Sequence, residues 1–250
     1  MELILPDWTG APPNIGAFCT TRSGGCSTGP YDDGAGGGGL NLGVHVGDDA
    51  DAVARNRALL RGLLPQEPAW LSQVHGSTVA DAGTVSGAPR ADACIATTSG
   101  AVCVIQTADC LPVLFCDAGG AVVGAAHAGW RGLAGGVLEN TVRRMRDTGA
   151  SRILAWLGPA IGPQCFEVGQ DVFDAFAASD RAAASAFVPQ LRHAGKYLAD
   201  IYALARLALQ RAGVEQVSGG GLCTVTDERR FYSYRRDRVT GRMASLIWLK

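Results

Sequence analysis

The chain has 250 residues, 47% of them hydrophobic, and a formal net charge of −1. This is enough apolar material for a sizeable core, and the balanced charge gives no general attraction to nucleic acid or a membrane surface. No run of 18 or more apolar residues occurs, and MELILPDWTG lacks the basic-then-apolar order of a secretion signal, so a cytoplasmic protein is expected.

The elements follow in chain order. Residues 3–5 and 15–22 read as short strands. Gly24 to Gly39 reads as a turn-rich loop with a flexible GAGGGG segment, not a phosphate cradle, because no GxxxxGK[ST] pattern is present. A helix is expected over about 50–64, with Asp48 or Asp49 as its N-cap and Pro65 as its stop. Arg55, Asn56 and Arg57 lie on it. Residues 69–75 and 77–82 read as strands flanking His75. The segments ACIA, AVCVIQT, PVLFCD and AVVGAAHA, between residues 91 and 127, fit buried strands. Helices are expected over Leu133–Asp147, 169–179 and Tyr197–Arg211, and strands over 152–158, 214–217, 230–235 and 243–249. No repeat or linker divides the chain, so residues 1–250 are expected to form one domain. Strands and helices interleave without strict βαβ order, which favours a mixed α+β sandwich.

Eight cysteines are scattered without a CxxC pair, mostly in apolar runs, as suits reduced buried thiols. Cys110 and His127 bracket the stretch TADCLPVLFCDAGGAVVGAAHA, and His75 lies upstream in QVHG. A thiolate and two imidazoles suit zinc, and three protein ligands leave a fourth position open for catalysis. The spacing does not match a zinc finger but fits a site assembled from three strand ends. Asp109, beside Cys110, is a candidate to orient a histidine or a water. The same residues also allow other readings. Cys110 and His127 can pair as a metal-free nucleophile and base, or the metal can be purely structural. Four histidines are too few for a blue copper plus a trinuclear cluster, whereas one His2Cys copper centre with Met145 or Met243 as axial ligand fits the count.

The segments TTRSGG, LNLGVHVGDD, ARNR, QVHG, TADCLPV, AAHAGWRG, LGPAIGPQCFEVG, DIYALAR and FYSYRRDRVTGRMASLIWL span about residues 18–249. They strongly resemble the bacterial laccase-domain proteins, described both as polyphenol oxidases and as purine nucleoside phosphorylases. The resemblance implies a four-layer α/β/β/α sandwich with mixed sheets, related to the catalytic domain of a cytotoxic necrotizing factor. It implies one zinc ion held by His75, Cys110 and His127, with copper as the alternative metal. The implied activity is phosphorolysis of adenosine, inosine, guanosine and methylthioadenosine, with adenosine deamination beside it. The partners would be these nucleosides and phosphate, on a monomer or weak homo-oligomer. A copper-dependent polyphenol oxidase and a metal-free Cys-His hydrolase are the competing activities.

For this chemistry Asp109, Cys110 and Glu167 are the catalytic candidates, the two carboxylates as proton carriers. Arg55 and Arg131, then Arg22 and Arg235, are candidates for phosphate, since a guanidinium fork pairs two phosphate oxygens at once. Asn41 and His45 are candidates for contact with ribose or base.

Overall fold

Short apolar strands alternate their side chains between two faces, and here both faces are covered. The computed structural model describes residues 1–191 and 193–250. Its strands are β1 (Leu3–Ile4), β2 (Ile15–Thr20), β3 (Ser23–Ser27), β4 (Pro68–Ala69), β5 (Val79–Asp81), β6 (Ala93–Ala96), β7 (Val102–Thr107), β8 (Leu111–Asp117), β9 (Val123–Ala128), β10 (Ile153–Leu157), β11 (Glu167–Gly169), β12 (Phe187–Pro189), β13 (Lys196–Ala199), β14 (Gln216–Gly219) and β15 (Met243–Leu249). Its α-helices are α1 (Ala50–Arg61), α2 (Trp130–Ala134), α3 (Val137–Asp147), α4 (Gln170–Ala177), α5 (Ile201–Arg211) and α6 (Tyr234–Asp237).

One sheet runs β1-β2-β15-β7-β4 and a second runs β14-β10-β8-β9-β6-β5. A small third sheet runs β11-β13-β12. Both larger sheets mix parallel and antiparallel pairs: β4 joins β7 in parallel, and so do β14 with β10 and β5 with β6. The fold is therefore mixed α+β. Alternation sorts each strand. Cys103 and Ile105 of β7 share a core with Leu114 and Cys116 of β8, so this core lies between the two large sheets. Val102 and Val104 of β7 pack instead with Leu60 of α1. Leu111, Val113 and Phe115 of β8 pack with α3 and α5. Among the described residues no helix is long and apolar enough to cross a membrane.

Several elements differ from the sequence expectation, each for a local reason. The expected helix over Leu133–Asp147 is two helices, because Gly136 takes the left-handed region at φ 82° and separates α2 from α3. The helix expected from Tyr197 begins at Ile201. Residues 196–199 pair as β13, and the Asp200 carboxylate accepts from Ala203 N at 2.9 Å to cap α5. Of 69–75 only Ala69 is in a strand. The N–H groups of Val74, His75 and Gly76 donate to the Asp92 carboxylate and so are drawn away from any ladder. Residues 230–235 form no strand, and Ser233 there caps α6. The Gly24–Gly39 segment contains β3, and its glycine end is packed. Asn56 of α1 accepts from Cys26 N at 2.9 Å and donates to the carbonyls of Gly39 and Asn41.

Candidate metal centre

The β8–β9 register decides where Cys110 sits. Leu111 pairs with Ala128 and Pro112 with His127, so Cys110, one residue before β8, emerges beside the end of β9. The His75 loop then closes over the same point. The ligand atoms of His75, Cys110 and His127 lie within 4.8 Å of one another. Cys110 Sγ is 3.8 Å from His75 Nε2, and the two imidazole rings meet edge to face at 4.8 Å between centroids. Zinc–sulfur and zinc–nitrogen bonds of about 2.3 and 2.0–2.1 Å at a tetrahedral angle put S and N about 3.6 Å apart. The observed separation fits a shared ion.

Asp92 holds this arrangement together. Its Oδ1 lies 2.8 Å from His127 Nδ1, which leaves Nε2 of that ring for a metal. Its two oxygens also accept from the backbone of Val74, His75 and Gly76, at 3.1, 2.8 and 2.7 Å. Asp92 is fully buried; burial opposes its ionisation, but these bonds hold the carboxyl below its ordinary pKa. His75 pays for its position with φ at +60°, a strained region for a non-glycine residue. Glycine makes the close approach possible. A Cβ at Gly129 would stand 2.7 Å from His75 Cδ2 and 3.0 Å from Cys110 Sγ, and one at Gly132 would meet Gly76 O at 2.7 Å.

In the metal-free protein the thiol and the imidazole shift each other. Burial disfavours the Cys110 thiolate, but the charge of His127 and hydrogen bonds from both histidines outweigh it and bring the pKa below its ordinary value. Burial also disfavours charged His127, yet Cys110 and Asp92 raise its pKa. Two cysteines within strands behave oppositely: burial pushes Cys19 and Cys116 up to about 12.

All three ligands line a cleft of about 790 Å³, together with His45, Arg57, Trp70, Gln73, Tyr234 and Arg242. A smaller chamber of about 200 Å³ shares Ala108, Cys110 and Tyr234 with it and adds Asp109, Trp130 and Phe166.

The remaining candidates fall in different places. Asp109, at φ +93°, lines the smaller chamber; its Oδ1 accepts from Thr224 Oγ1 and its Oδ2 from Arg235 N, each at 2.6 Å. Arg235 lines that chamber too and donates to Glu167 O at 2.9 Å. The Glu167 side chain is exposed and lines neither space. His45 is exposed and lines the large cleft. Asn41 is fully buried, bonded to Asp48, Gly43 and Arg242 N. Arg22 is buried, with its guanidinium on the carbonyls of Asp32 and Glu228. Arg55 is exposed on α1 and lies against Cys26. Arg131 is exposed with its guanidinium 4.3 Å from the Trp130 ring centroid. Neither Arg55 nor Arg131 lines the cleft.

Asp92, Arg57, Arg242 and Tyr234 belong to the site without having been singled out from the sequence. Asp92 did leave a signal, as a lone carboxylate in the apolar run ADACIA. The others left none: Arg57 is one of three arginines on α1, and Tyr234 and Arg242 lie in the arginine-rich segment FYSYRRDRVTGRM.

A His-Cys-His cluster with the geometry to hold a metal ion, on a mixed α+β fold and open to a cleft, defines the class. The family model for multi-copper polyphenol oxidoreductase laccase matches residues 16–250, and the chain belongs to that family. The purine nucleoside phosphorylase YfiH of Escherichia coli K12 is 53% identical over 251 residues, covering 99% of each chain. A purine nucleoside phosphorylase of Pseudomonas aeruginosa is 54% identical over 247 residues, covering 99% of this chain and 98% of that one. A crystal structure of a Neisseria meningitidis protein, 50% identical, superposes over all of both chains with a TM-score of 0.92. A Bacillus licheniformis hypothetical protein, YfiH, gives a TM-score of 0.85 at 29% identity, covering 94% of this chain and 93% of that one.

Proposed function

We propose that the protein is a zinc-dependent purine nucleoside phosphorylase with adenosine deaminase activity, acting on adenosine, inosine, guanosine and methylthioadenosine. The observation that carries this reading is the His75–Cys110–His127 set opening into a cleft of ligand size. The names of the Escherichia coli and Pseudomonas aeruginosa relatives support it.

Zinc, when bound by these three residues, supplies a Lewis acid and activates water near neutral pH. The chain's own residues do the rest. Asp92 keeps His127 in one tautomer and fixes the His75 loop. Trp130, Phe166 and Tyr234 offer the smaller chamber aromatic surface for a planar base. In phosphorolysis a phosphate oxygen bonds to C1′ as the C1′–N9 bond breaks, and the purine leaves with the electron pair and takes a proton. In deamination water adds at C6 and ammonia leaves. Asp109 is the carboxylate we assign to proton transfer, because among the described residues it alone of the acids lines either space. Glu167 is the alternative carrier, and its exposure beyond both spaces favours Asp109.

The two large sheets with α1 on one outer face and α3 and α5 on the other support the four-layer α/β/β/α reading, to which the proposed relation to the necrotizing-factor domain belongs. We read residues 1–250 as one such domain, cytoplasmic, and monomeric or weakly self-associating.

One observation favours a second reading. Cys110, His127 and Asp92 are ordered as nucleophile, base and orienting carboxylate, the arrangement of a metal-free hydrolase. Copper-dependent phenol oxidation, the activity in the family's description, is the third. Four histidines remain too few for a multicopper centre.

The test incubates purified protein of measured metal content with adenosine and phosphate. Chromatography should find adenine and ribose 1-phosphate, with inosine from deamination. If no product forms at any metal loading, the nucleoside reading fails. Full activity in metal-free protein would favour the hydrolase-type dyad, and phenol oxidation dependent on added copper would favour the third reading.

A further inference from the structure

We propose that Arg57 and Arg242, with His45 beside them, form a seat for inorganic phosphate in the cleft that holds the His75–Cys110–His127 cluster. The proposal rests on the phosphorolysis reading only for the identity of the anion. The seat itself rests on the geometry.

Among the described residues the cleft lining contains two arginines and no carboxylate. Neither arginine belongs to an ion pair among the described residues. Both side chains are half-buried, and burial pulls the pKa of each below the ordinary arginine value. Glu67 acts on Arg57, and Cys110 and Asp109 on Arg242, only from beyond ion-pair distance; partly desolvated cations with no direct ion pair are costly unless something compensates them, and an oxyanion would do so.

Both guanidinium groups are also held still by neutral partners. Arg57 Nε donates to Leu42 O at 3.0 Å, and its Cζ lies 3.8 Å from the Trp70 ring centroid. Arg242 Nη1 donates to Thr240 O at 3.1 Å and Gly241 O at 3.0 Å, and its backbone N donates to Asn41 Oδ1 at 2.8 Å. Those contacts occupy one edge of each fork. Among the described residues both terminal nitrogens of Arg57 and Nη2 of Arg242 have no hydrogen-bond acceptor. A guanidinium whose rotamer is already fixed loses little freedom on binding an oxyanion. Gly43 contributes as well, since a Cβ there would stand 2.8 Å from Arg242 Cγ.

His45 completes the group. Although the residue as a whole is exposed, partial burial of its ring, then the charges of Arg242 and Arg57, shift it toward neutral imidazole, so it offers a hydrogen-bond donor without a third positive charge. Helix geometry separates this assignment from Arg55. Residues two apart on an α-helix point about 200° apart, so Arg55 and Arg57 cannot serve one site. Arg57 is the one on the cleft side.

Isothermal titration calorimetry of the purified holoprotein with inorganic phosphate tests the seat directly. Arg57→Gln and Arg242→Gln should each weaken binding by about tenfold or more, while Arg55→Gln and Arg131→Gln leave it within about twofold. Arg57→Lys and Arg242→Lys keep the charge, protect against loss of fold, and should still weaken binding because the fork is gone. Equal phosphate affinity in all variants, or none in the wild type, overturns the seat. So does binding of adenosine 5′-monophosphate without binding of free phosphate, which would assign the arginines to a nucleotide ester. Initial rates separate this proposal from the one beneath it. Phosphorolysis with an unchanged phosphate KM in both Gln variants sinks the seat and spares the function. Phosphate binding through both arginines without phosphorolysis does the reverse.

Discussion

The Asp92 carboxylate touches both histidines of the centre: Oδ1 meets His127 Nδ1 at 2.8 Å and accepts His75 N at the same distance. One buried side chain thus orients one ligand through its ring and the other through its backbone.

Asp92→Asn should weaken metal binding by about 10- to 100-fold, because a partner of this kind sets ligand tautomer and orientation. Competition with a chromogenic chelator measures it. Affinity equal to wild type would show that Asp92 only supports the loop.

Gly129→Ala should also lose metal, by another route. The added methyl meets His75 Cδ2 and Cys110 Sγ. The turn lies at the rim of the sheet, so the melting temperature should fall little while metal content falls sharply. Normal stoichiometry in Gly129→Ala would show that the cradle can widen.

Cysteine alkylation should divide the thiols by environment. In chelator-treated protein at pH 7, Cys110 should react quickly with iodoacetamide, and bound metal should protect it. Its folded-state pKa is depressed, so the reactive thiolate persists at neutral pH and its alkylation slows only as pH falls through that lowered value. Cys19, Cys103 and Cys116, whose pKa values burial raises, should react only after unfolding. Peptide mass spectrometry resolves the sites, and Cys110 remaining unlabelled without metal would contradict the assigned environment.

Arg22→Ala should act on stability and not on substrate. The guanidinium is buried, donates to Asp32 O at 3.1 and 2.8 Å and to Glu228 O at 2.9 Å, and lies 4.9 Å from the Tyr232 ring centroid. Losing these charge-assisted bonds should cost on the order of 3 kcal/mol in denaturant unfolding. A raised phosphate KM with unchanged stability would instead make Arg22 a substrate contact.

Much of the site was legible in the chain. Cys110 and His127 stand out because an apolar strand seldom carries a soft ligand and an imidazole, and His75 stands out between glycine and polar residues. Strands β6 to β9 were equally legible, as their alternation and boundaries are local. The kink at Gly136 and the strand at 196–199 were not. One depends on a single left-handed residue, and the other on partners in β11 and β12 that lie far away in sequence.

The sequence by itself determined the mixed α+β class and the family resemblance, and it singled out His75, Cys110 and His127, because each rests on residue chemistry or local periodicity. Only the tertiary structure decided which charged residues surround His75, Cys110 and His127. Twenty arginines look alike along the chain. Arg57 and Arg242, 185 positions apart in the numbering, meet in one cleft because α1 packs on the sheet whose central strand is β15. Arg22 and Arg55 are directed elsewhere by the hydrogen bonds and helix face available to each.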